Sequence, residues 1–143
     1  MPLLYSRFFS ASRETPAPPE RIWRLWTDVA NWKTWDTGLR EARMERPFSV
    51  GRPGVIVDLQ GRESAFRVTE CIPNVTYTYR VKLPLAALLI TRFLRVSDGR
   101  TTFTHEVRFV GVLGGLFAFL LGRGFQKMLP GVVDNVKRLC ETP

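Results

Sequence analysis

Two stretches of the chain alternate so regularly between apolar and polar residues that they determine the kind of sheet the chain can form. In Val75–Leu83, every odd-numbered residue is apolar or tyrosine, and the residues between them are threonine, arginine or lysine. Phe103–Phe109 alternates in the same way, with His105 among the apolar positions. Successive side chains of a strand point to opposite faces, so each stretch has one apolar face. The pattern predicts an antiparallel sheet that is covered on one face and wet on the other.

Short runs separated by turn residues extend this pattern through the middle of the chain. Six strands are predicted there, over Leu39–Arg46, Val55–Gln60, Ser64–Ile72, Val75–Leu83, Leu88–Ser97 and Thr101–Val110. Asp98-Gly99, between the last two, is a strong signal for a two-residue hairpin. A further strand is expected at Leu3–Ser12, where the adjacent residues Phe8 and Phe9 leave the inward face open.

Helical spacing is confined to two regions. After a cluster of prolines, which suit the first turn of a helix, a short pattern begins at Glu20, and Trp32 and Trp35 follow in a second short helix or turn. The C-terminal region has the long pattern, with apolar residues at three- and four-residue spacing: Leu113, Phe117, Leu120, Leu121, Met128, Val132, Val136 and Leu139. Pro130 lies inside this pattern and is expected to kink the helix or to split it in two.

This order of elements predicts an α+β fold in one domain, residues 1–143. A curved seven-stranded antiparallel sheet would wrap around the long C-terminal helix, with two short helices after the first strand. A strongly curved sheet and a single helix rarely fill the space between them. We therefore expect a cavity there that holds a small hydrophobic molecule.

The formal net charge of +8 raises the question of a nucleic-acid partner. The densest basic cluster, Arg40–Arg46, interleaves three arginines with Glu41 and Glu45, and the other basic residues are scattered. Such mixed runs are typical of a solvated surface, so no nucleic-acid partner is predicted. The charge favours weak contact with anionic surfaces.

Several features bear on location. Cys71 and Cys140 have no metal-binding or redox spacing, and no secretory signal is recognisable, so two reduced thiols in the cytoplasm are expected. The apolar stretch Val110–Leu121 contains three glycines and is shorter than the ~18–20 residues of a membrane span. It is interpreted as a buried helix start or an interfacial segment, without stable membrane insertion. Whether the protein is a monomer or a homodimer stays open.

Three segments carry a resemblance to a known family. APPERIWRLWTDVANWKTW, Ala17–Trp35, resembles the opening signature of the START-type or SRPBCC superfamily. Asp98–Phe109 and Gly114–Leu139 are similar to the last hairpin and the closing helix of its polyketide cyclase/dehydrase-like branch. The resemblance implies a helix-grip fold with a ligand tunnel between the sheet and the last helix. Relatives include lipid carriers and polyketide aromatases/cyclases, so the fold does not fix the function.

His105 is the only histidine and lies on the covered face. It is a weak candidate for an acid/base, a candidate donor to a ligand, or a neutral core residue bonded to a backbone carbonyl or a tyrosine hydroxyl. Tyr77 and Tyr79 bring hydroxyls to the same face and can orient the polar end of a ligand. With one histidine, no catalytic triad or metal-ligand pattern is recognisable, and no cofactor is predicted.

The functional prediction is a carrier or sensor of a small hydrophobic molecule. Its predicted site is lined by Trp35, Tyr77, Tyr79, Phe103, His105, Phe117 and Leu121. The first alternative is a polyketide aromatase/cyclase- or dehydrase-like enzyme that uses the same cavity. The second is an interaction or membrane-surface module, suggested by the positive charge and the apolar segment Leu113–Leu121.

Overall fold

Residues 7–142, which the computed structural model describes, form one antiparallel sheet, two α-helices and a short 3-10 helix. In chain order the elements are β1 (Phe8–Thr15), α1 (Pro19–Thr27), the 3-10 helix (Val29–Thr34), β2 (Leu39–Met44), β3 (Pro53–Asp58), β4 (Glu63–Ile72), β5 (Thr76–Leu83), β6 (Ala86–Ser97), β7 (Arg100–Val110) and α2 (Gly114–Glu141). The predicted boundaries of β2 to β7 lie within two residues of those observed.

The sheet contains seven strands in the order β1-β7-β6-β5-β4-β3-β2, and every neighbouring pair is antiparallel. Strands β2 to β7 follow one another along the chain, and β1 pairs with β7 along its whole length. The register shifts once in β2, between Leu39 and Glu41, and once in β4, between Val68 and Glu70. Such bulges bend a strand and increase its twist, which suits a sheet that curls around a helix. The predicted helix-grip fold is confirmed.

The structure decides which face of β1 points inward. Phe9 lies on the covered face, where its ring meets Phe109 edge-on with 6.4 Å between ring centroids. Phe8 points to the other face, with the guanidinium of Arg108 5.3 Å from its ring centroid. The strand continues to Thr15, beyond the predicted end at Ser12. Residues 3–6 of the predicted strand lie outside the described residues.

The alternation in β5 and β7 produces the predicted faces. In β5 the buried members of the apolar face are Tyr77, Tyr79 and Val81, and in β7 they are Phe103, His105, Val107 and Phe109. Val75 is an exception, because it precedes β5 in a turn and is exposed. The apolar face of the sheet is therefore the one that turns toward the helices.

Helix α2 covers one half of this face, and α1 with the 3-10 helix covers the other. Helix α2 packs on β1 and β7, where Leu129, Val132 and Val136 are buried. The 3-10 helix covers the other half, since Trp32 stacks on Phe66 of β4 and on Tyr79 of β5, at centroid distances of 5.5 and 5.2 Å. The core therefore lies between the sheet and its cover, which is helix α2 over one half of the sheet and a group of tryptophans over the other.

Helix α2 is continuous through Pro130, so the predicted alternative of two separate helices is wrong. Proline removes one helical hydrogen bond, but Pro130 and Gln126, whose carbonyl loses that bond, are both exposed to water. Buried residues on both sides of the proline, Gly122 and Leu129 before it and Val133 after it, hold both halves of the helix in the core.

Gly111, at the junction of β7 and α2, makes the tightest backbone approach of any positive-φ glycine in the described chain. Its φ is +95°, and a β-carbon there would lie 2.7 Å from Ala86 Cα. Gly99 also has positive φ, +73°, but open space around it. We expect Gly111→Ala to lower the free energy of unfolding by about 2–5 kcal/mol, because left-handed strain and a backbone clash add. Gly99→Ala carries only the strain, about 1–2 kcal/mol. If urea denaturation shows the same loss of stability for Gly111→Ala and Gly99→Ala, the backbone near Ala86 moves and relieves the clash.

Candidate functional site

An arginine occupies a core position of the sheet. In β6 the buried side chains alternate as Leu88, Ile90, Arg92 and Leu94, so Arg92 points under the covering elements and is only 2% exposed. Arg92 is not among the residues predicted from the sequence to line the site. The signal was available, because the period of two that runs from Leu88 to Leu94 places Arg92 on an otherwise apolar face.

The guanidinium of Arg92 is held by hydroxyls, a carboxylate and aromatic rings. Nη1 donates to the hydroxyl oxygen of Tyr77 at 2.6 Å, and Nη2 donates to that of Tyr79 at 3.3 Å. Nη2 also lies 3.9 Å from Oδ2 of Asp36, in a buried ion pair. Rings surround the cation, with Cζ 4.8 Å from the ring centroid of Trp35. A cation close to aromatic faces is stabilised by their quadrupoles.

Trp26, in the last turn of α1, connects this group to the other elements. Its carbonyl oxygen accepts hydrogen bonds from the Tyr77 hydroxyl and from Trp32 Nε1, both at 2.8 Å. Its own Nε1 donates to Nε2 of His105 at 3.0 Å. The spaced tryptophans of the opening signature therefore tie α1 and the 3-10 helix to β5 and β7. We call Asp36, Tyr77, Tyr79, Arg92 and His105 the polar centre.

His105 has a different partner from either of those considered for a core histidine. Nε2 accepts a hydrogen bond from an indole N–H, so in the neutral ring the proton resides on Nδ1. Burial, followed by the charge of Arg92, lowers the pKa of His105 well below its usual value. The ring is therefore neutral at physiological pH, and its Nε2 lone pair is engaged within the protein.

Burial also shifts the acidic members of the polar centre. It raises the pKa of Tyr77 and of Tyr79, although the charge of Arg92 opposes the shift. It raises the pKa of Asp36 as well, against the charge of Arg92 and a hydrogen bond from the backbone N–H of Gly38. Both tyrosines therefore keep their protons at neutral pH, and the ion pair of the polar centre is the one between Arg92 and Asp36.

Two buried N–H groups at the polar centre lack a hydrogen-bond partner. They are Nε of Arg92 and Nε1 of Trp35, and both are orphaned within the described part of the chain. The two groups are neighbours, since the guanidinium lies against the Trp35 ring. Buried donors in native proteins almost always meet an acceptor, because leaving one unpaired costs about 1–3 kcal/mol. The polar centre therefore offers two donors to an acceptor atom.

The structure brings five of the seven predicted site residues together. Trp35 meets His105 at 5.6 Å between ring centroids, Phe103 meets His105 at 6.2 Å, and Tyr77 meets Tyr79 at 6.4 Å. Side chains that the prediction did not include, above all Arg92, occupy the space between them. A role for these five residues in binding a ligand stays a prediction.

The other two predicted residues, Phe117 and Leu121, lie in the N-terminal half of α2. Phe117 is half-buried and packs against the core. Leu121 is 43% exposed at the helix surface. Their part in a ligand site also stays a prediction.

Two half-buried aromatic rings stand between the polar centre and the surface. Phe48, in the connection between β2 and β3, lies 4.6 Å from the ring centroid of Tyr77. Trp23 of α1 lies 5.6 Å from the same ring. Arg46, near Phe48, pairs with Asp28 at the end of α1 at 3.8 Å. The loop that carries Phe48 is thus linked to α1 beside Tyr77.

The remaining chemistry of the described residues is sparse. Within residues 7–142, no three histidine, cysteine or acidic side chains are grouped so that they could hold a metal ion. Cys71 and Cys140 are both free thiols. No helix in that range combines the length and apolar character needed to cross a bilayer.

Comparison with known families adds to this geometry. The model of the family described as "polyketide cyclase / dehydrase and lipid transport" matches residues 8–141. The chain belongs to this family. The predicted resemblance to the polyketide cyclase/dehydrase-like branch is confirmed. A search of curated proteins gave no significant match.

Solved structures similar to this polyketide cyclase/dehydrase family member support the fold. MLL2253 from Mesorhizobium loti is 21% identical, with a TM-score of 0.74 over 93% of this chain and 96% of that one. jhp0584 from Helicobacter pylori is 10% identical, with a TM-score of 0.78 over 99% and 92%. The di-domain ARO/CYC StfQ from the steffimycin biosynthetic pathway is 11% identical, with a TM-score of 0.75 over 94% of this chain and 50% of StfQ. At these identities the likeness concerns the fold alone.

Proposed function

We propose that this protein binds a small, largely apolar molecule whose polar end carries an oxygen acceptor, and that it acts as a carrier or sensor of that molecule. The observation that carries the proposal is the pair of buried, unpartnered donors, Arg92 Nε and Trp35 Nε1. Both groups donate and neither can accept a hydrogen bond. They therefore favour a carboxylate or a carbonyl oxygen over an amine.

The surroundings of these donors favour an apolar body for the molecule. The rings of Trp32, Trp35, Tyr77 and Tyr79 enclose the guanidinium, with centroids 4.8–5.6 Å from Cζ. A few polar groups in an apolar interior are typical of sites that bind small molecules. The polar centre would fix the orientation of the ligand, and burial of its apolar surface would supply most of the affinity.

Entry of a ligand requires a movement. Tyr77 is fully buried beneath Phe48 and Trp23. Since Phe48 belongs to a connecting loop and Trp23 to a helix, the loop is the element that moves more readily. In this proposal the apolar body of the ligand takes the place of the Phe48 ring against Tyr77.

A matched pair of probes tests the proposal. 2-Naphthoate and 2-naphthylmethylammonium have the same ring system and opposite polar ends. We expect the carboxylate to bind at least about tenfold more tightly, since a hydrogen bond to a charged group contributes about 1.5–3 kcal/mol. Tryptophan fluorescence reports binding, because three of the four tryptophans, Trp26, Trp32 and Trp35, are buried around the polar centre.

Trp35→Phe removes one donor and keeps an aromatic ring. We expect it to weaken naphthoate binding by about tenfold or more, since the lost hydrogen bond is to a charged group and contributes about 1.5–3 kcal/mol. Trp23→Phe makes the same change at the edge of the site and serves as the control. Equal binding of both probes, or an unchanged affinity in Trp35→Phe, would argue against the donors as the recognition element. Native mass spectrometry of the purified protein would detect a molecule that is retained naturally.

A second candidate function is a cyclase- or dehydrase-like reaction on a carbonyl compound, in keeping with the family and with the fold shared with StfQ. The same two donors would stabilise negative charge on a carbonyl oxygen in a buried site. Asp36, whose pKa burial raises, is then the candidate base. With a β-diketone probe, Asp36→Asn should abolish turnover and His105→Gln should preserve it. The opposite result would assign the base to His105.

A further inference from the structure

One end of the sheet carries apolar side chains that are exposed to water. The β5–β6 turn and the start of α2 meet there, where the backbone N–H of Leu113 donates to the carbonyl of Leu85 at 3.0 Å. Leu85 is 71% exposed and Val112 is 83% exposed. Leu116 and Leu120 follow at four-residue spacing and are 48% and 61% exposed. We call Leu85, Val112, Leu116 and Leu120 the apolar tip.

The two segments that form this end contain no acidic residue. All 13 aspartates and glutamates of the chain lie outside residues 71–97 and 107–133. Lys82 precedes the β5–β6 turn and is exposed. Arg123 and Lys127 are exposed and continue the stripe of Leu116 and Leu120 along α2. The apolar tip is therefore bordered by positive charge from its own elements.

The neighbouring elements do not reverse this charge. Glu63 begins the adjacent strand β4 at the same end of the sheet, but its carboxylate is paired with Arg43 at 2.9 Å. Arg7 adds a further cation, since its Nη1 lies 3.3 Å from the position that a β-carbon of Gly114 would take. The surface at this end thus combines exposed leucines with an excess of cations.

We propose that the apolar tip docks this protein on an anionic lipid surface. The leucines would insert at the boundary between headgroups and acyl chains, while Lys82, Arg123 and Lys127 meet the phosphates. Charge complementarity selects this occupant over a second copy of the chain, because two copies would bring like charges together around the leucines. The proposal does not depend on a ligand in the interior.

Vesicle flotation of the full chain tests this docking. We expect the protein to float with phosphatidylcholine vesicles that contain about 30% phosphatidylserine, and to float at least about fivefold less with phosphatidylcholine alone. Raising the salt concentration should release it, since exposed charges are screened. Equal flotation with both vesicles, or none with either, would overturn the proposal.

Two double variants test which residues make the contact. Leu116→Gln with Leu120→Gln should reduce partitioning at least about tenfold, because apolar insertion is lost. The control pair, Ile72→Gln with Val96→Gln, changes exposed apolar residues at the other end of the sheet and should leave partitioning unchanged. Equal loss in both pairs would contradict a role for the apolar tip.

A second set of double variants tests whether the positive charges beside the apolar tip are needed for vesicle binding. Arg123→Gln with Lys127→Gln should weaken binding by about 25-fold, at about fivefold for each charge near the surface. Arg24→Gln with Lys33→Gln removes the same charge from exposed positions elsewhere and should have a much smaller effect. If both double variants weaken vesicle binding equally, the net charge of the protein, and not the charge beside the apolar tip, determines binding. A dimer that the leucine variant converts to a monomer, without any vesicle binding, would assign the tip to a second copy.

Discussion

Replacing Arg92 with methionine is expected to lower the free energy of unfolding by about 3–5 kcal/mol. Methionine keeps an unbranched apolar stem but removes the guanidinium. The carboxylate of Asp36 then loses its buried partner, and the hydroxyls of Tyr77 and Tyr79 lose a donor. An uncompensated buried charge is among the most destabilising changes that a single substitution makes.

A double-mutant cycle separates the ion pair from the rest of the network. Asp36→Asn in the Arg92→Met background removes the orphaned charge, so we expect the double variant to recover part of the lost stability. Urea denaturation at neutral pH measures all four proteins. Arg95→Met changes an exposed arginine of the same strand and should stay within about 0.5 kcal/mol of the parent. An Arg92→Met variant as stable as that control would show that the buried cation contributes nothing to the fold.

The sheet could be predicted from the sequence because its signal is local. Alternation in β5 and β7 assigns each side chain to a face without any knowledge of what covers that face. The predicted burial of Tyr77, Tyr79, Phe103 and His105 follows from this alone. The seven-stranded antiparallel sheet is what the resemblance implies, and the turn residues between the predicted strands are typical of short turns, which join neighbouring antiparallel strands.

The contents of the interior could not be predicted in the same way. His105 and Trp26, its hydrogen-bond partner, are 79 positions apart in the chain. Arg92 and Asp36 are brought together only when the 3-10 helix folds over β5 and β6. Periodicity shows that a residue points inward, but not which side chains from distant segments it meets there. Aromatic rings and Arg92 therefore occupy the region in which the cavity is predicted.

The same limit applies to the start of α2. Helical spacing placed Phe117 and Leu121 with the buried residues of the helix. The helix packs closely on the sheet in this turn, because Gly122 is buried and a β-carbon there would lie 2.5 Å from the Phe9 ring. Leu121 is one residue earlier, about 100° around the helix from Gly122, and is 43% exposed. The spacing of apolar residues does not show that a glycine, and not Leu121, meets the sheet here.

The pH dependence of stability tests the electrostatics of the polar centre. The folded-state pKa of His105 lies well below its usual value of 6.5. As the pH falls below 6.5, His105 of the unfolded chain binds a proton, but His105 of the folded protein does not. Stability therefore decreases as the pH falls, by about 1.4 kcal/mol per pH unit at the full slope. Between pH 7 and pH 5 the loss from this residue is at most about 2 kcal/mol, the value for a folded state that binds no proton over that range.

Asp36 acts in the opposite direction. Its pKa is raised by burial, so the folded protein takes up a proton before the unfolded chain does, and stability increases as the pH falls through that value. The contribution of Asp36 to the pH dependence cancels when the parent is compared with His105→Gln, because Asp36 is present in both proteins. The glutamine oxygen can still accept the hydrogen bond from Trp26.

Urea denaturation of both proteins from about pH 8 to about pH 5 gives the difference directly. We expect the stability of the parent to fall relative to that of His105→Gln as the pH is lowered, because His105 is the only histidine in the chain. Parallel curves would mean that His105 accepts a proton inside the fold despite the nearby charge of Arg92. The imidazolium would then be available as a general acid, and the catalytic role of His105 would have to be reconsidered. If the two curves of stability against pH diverge, His105 stays neutral in the folded protein. Arg92 and Trp35 are then the residues that recognise an acceptor atom.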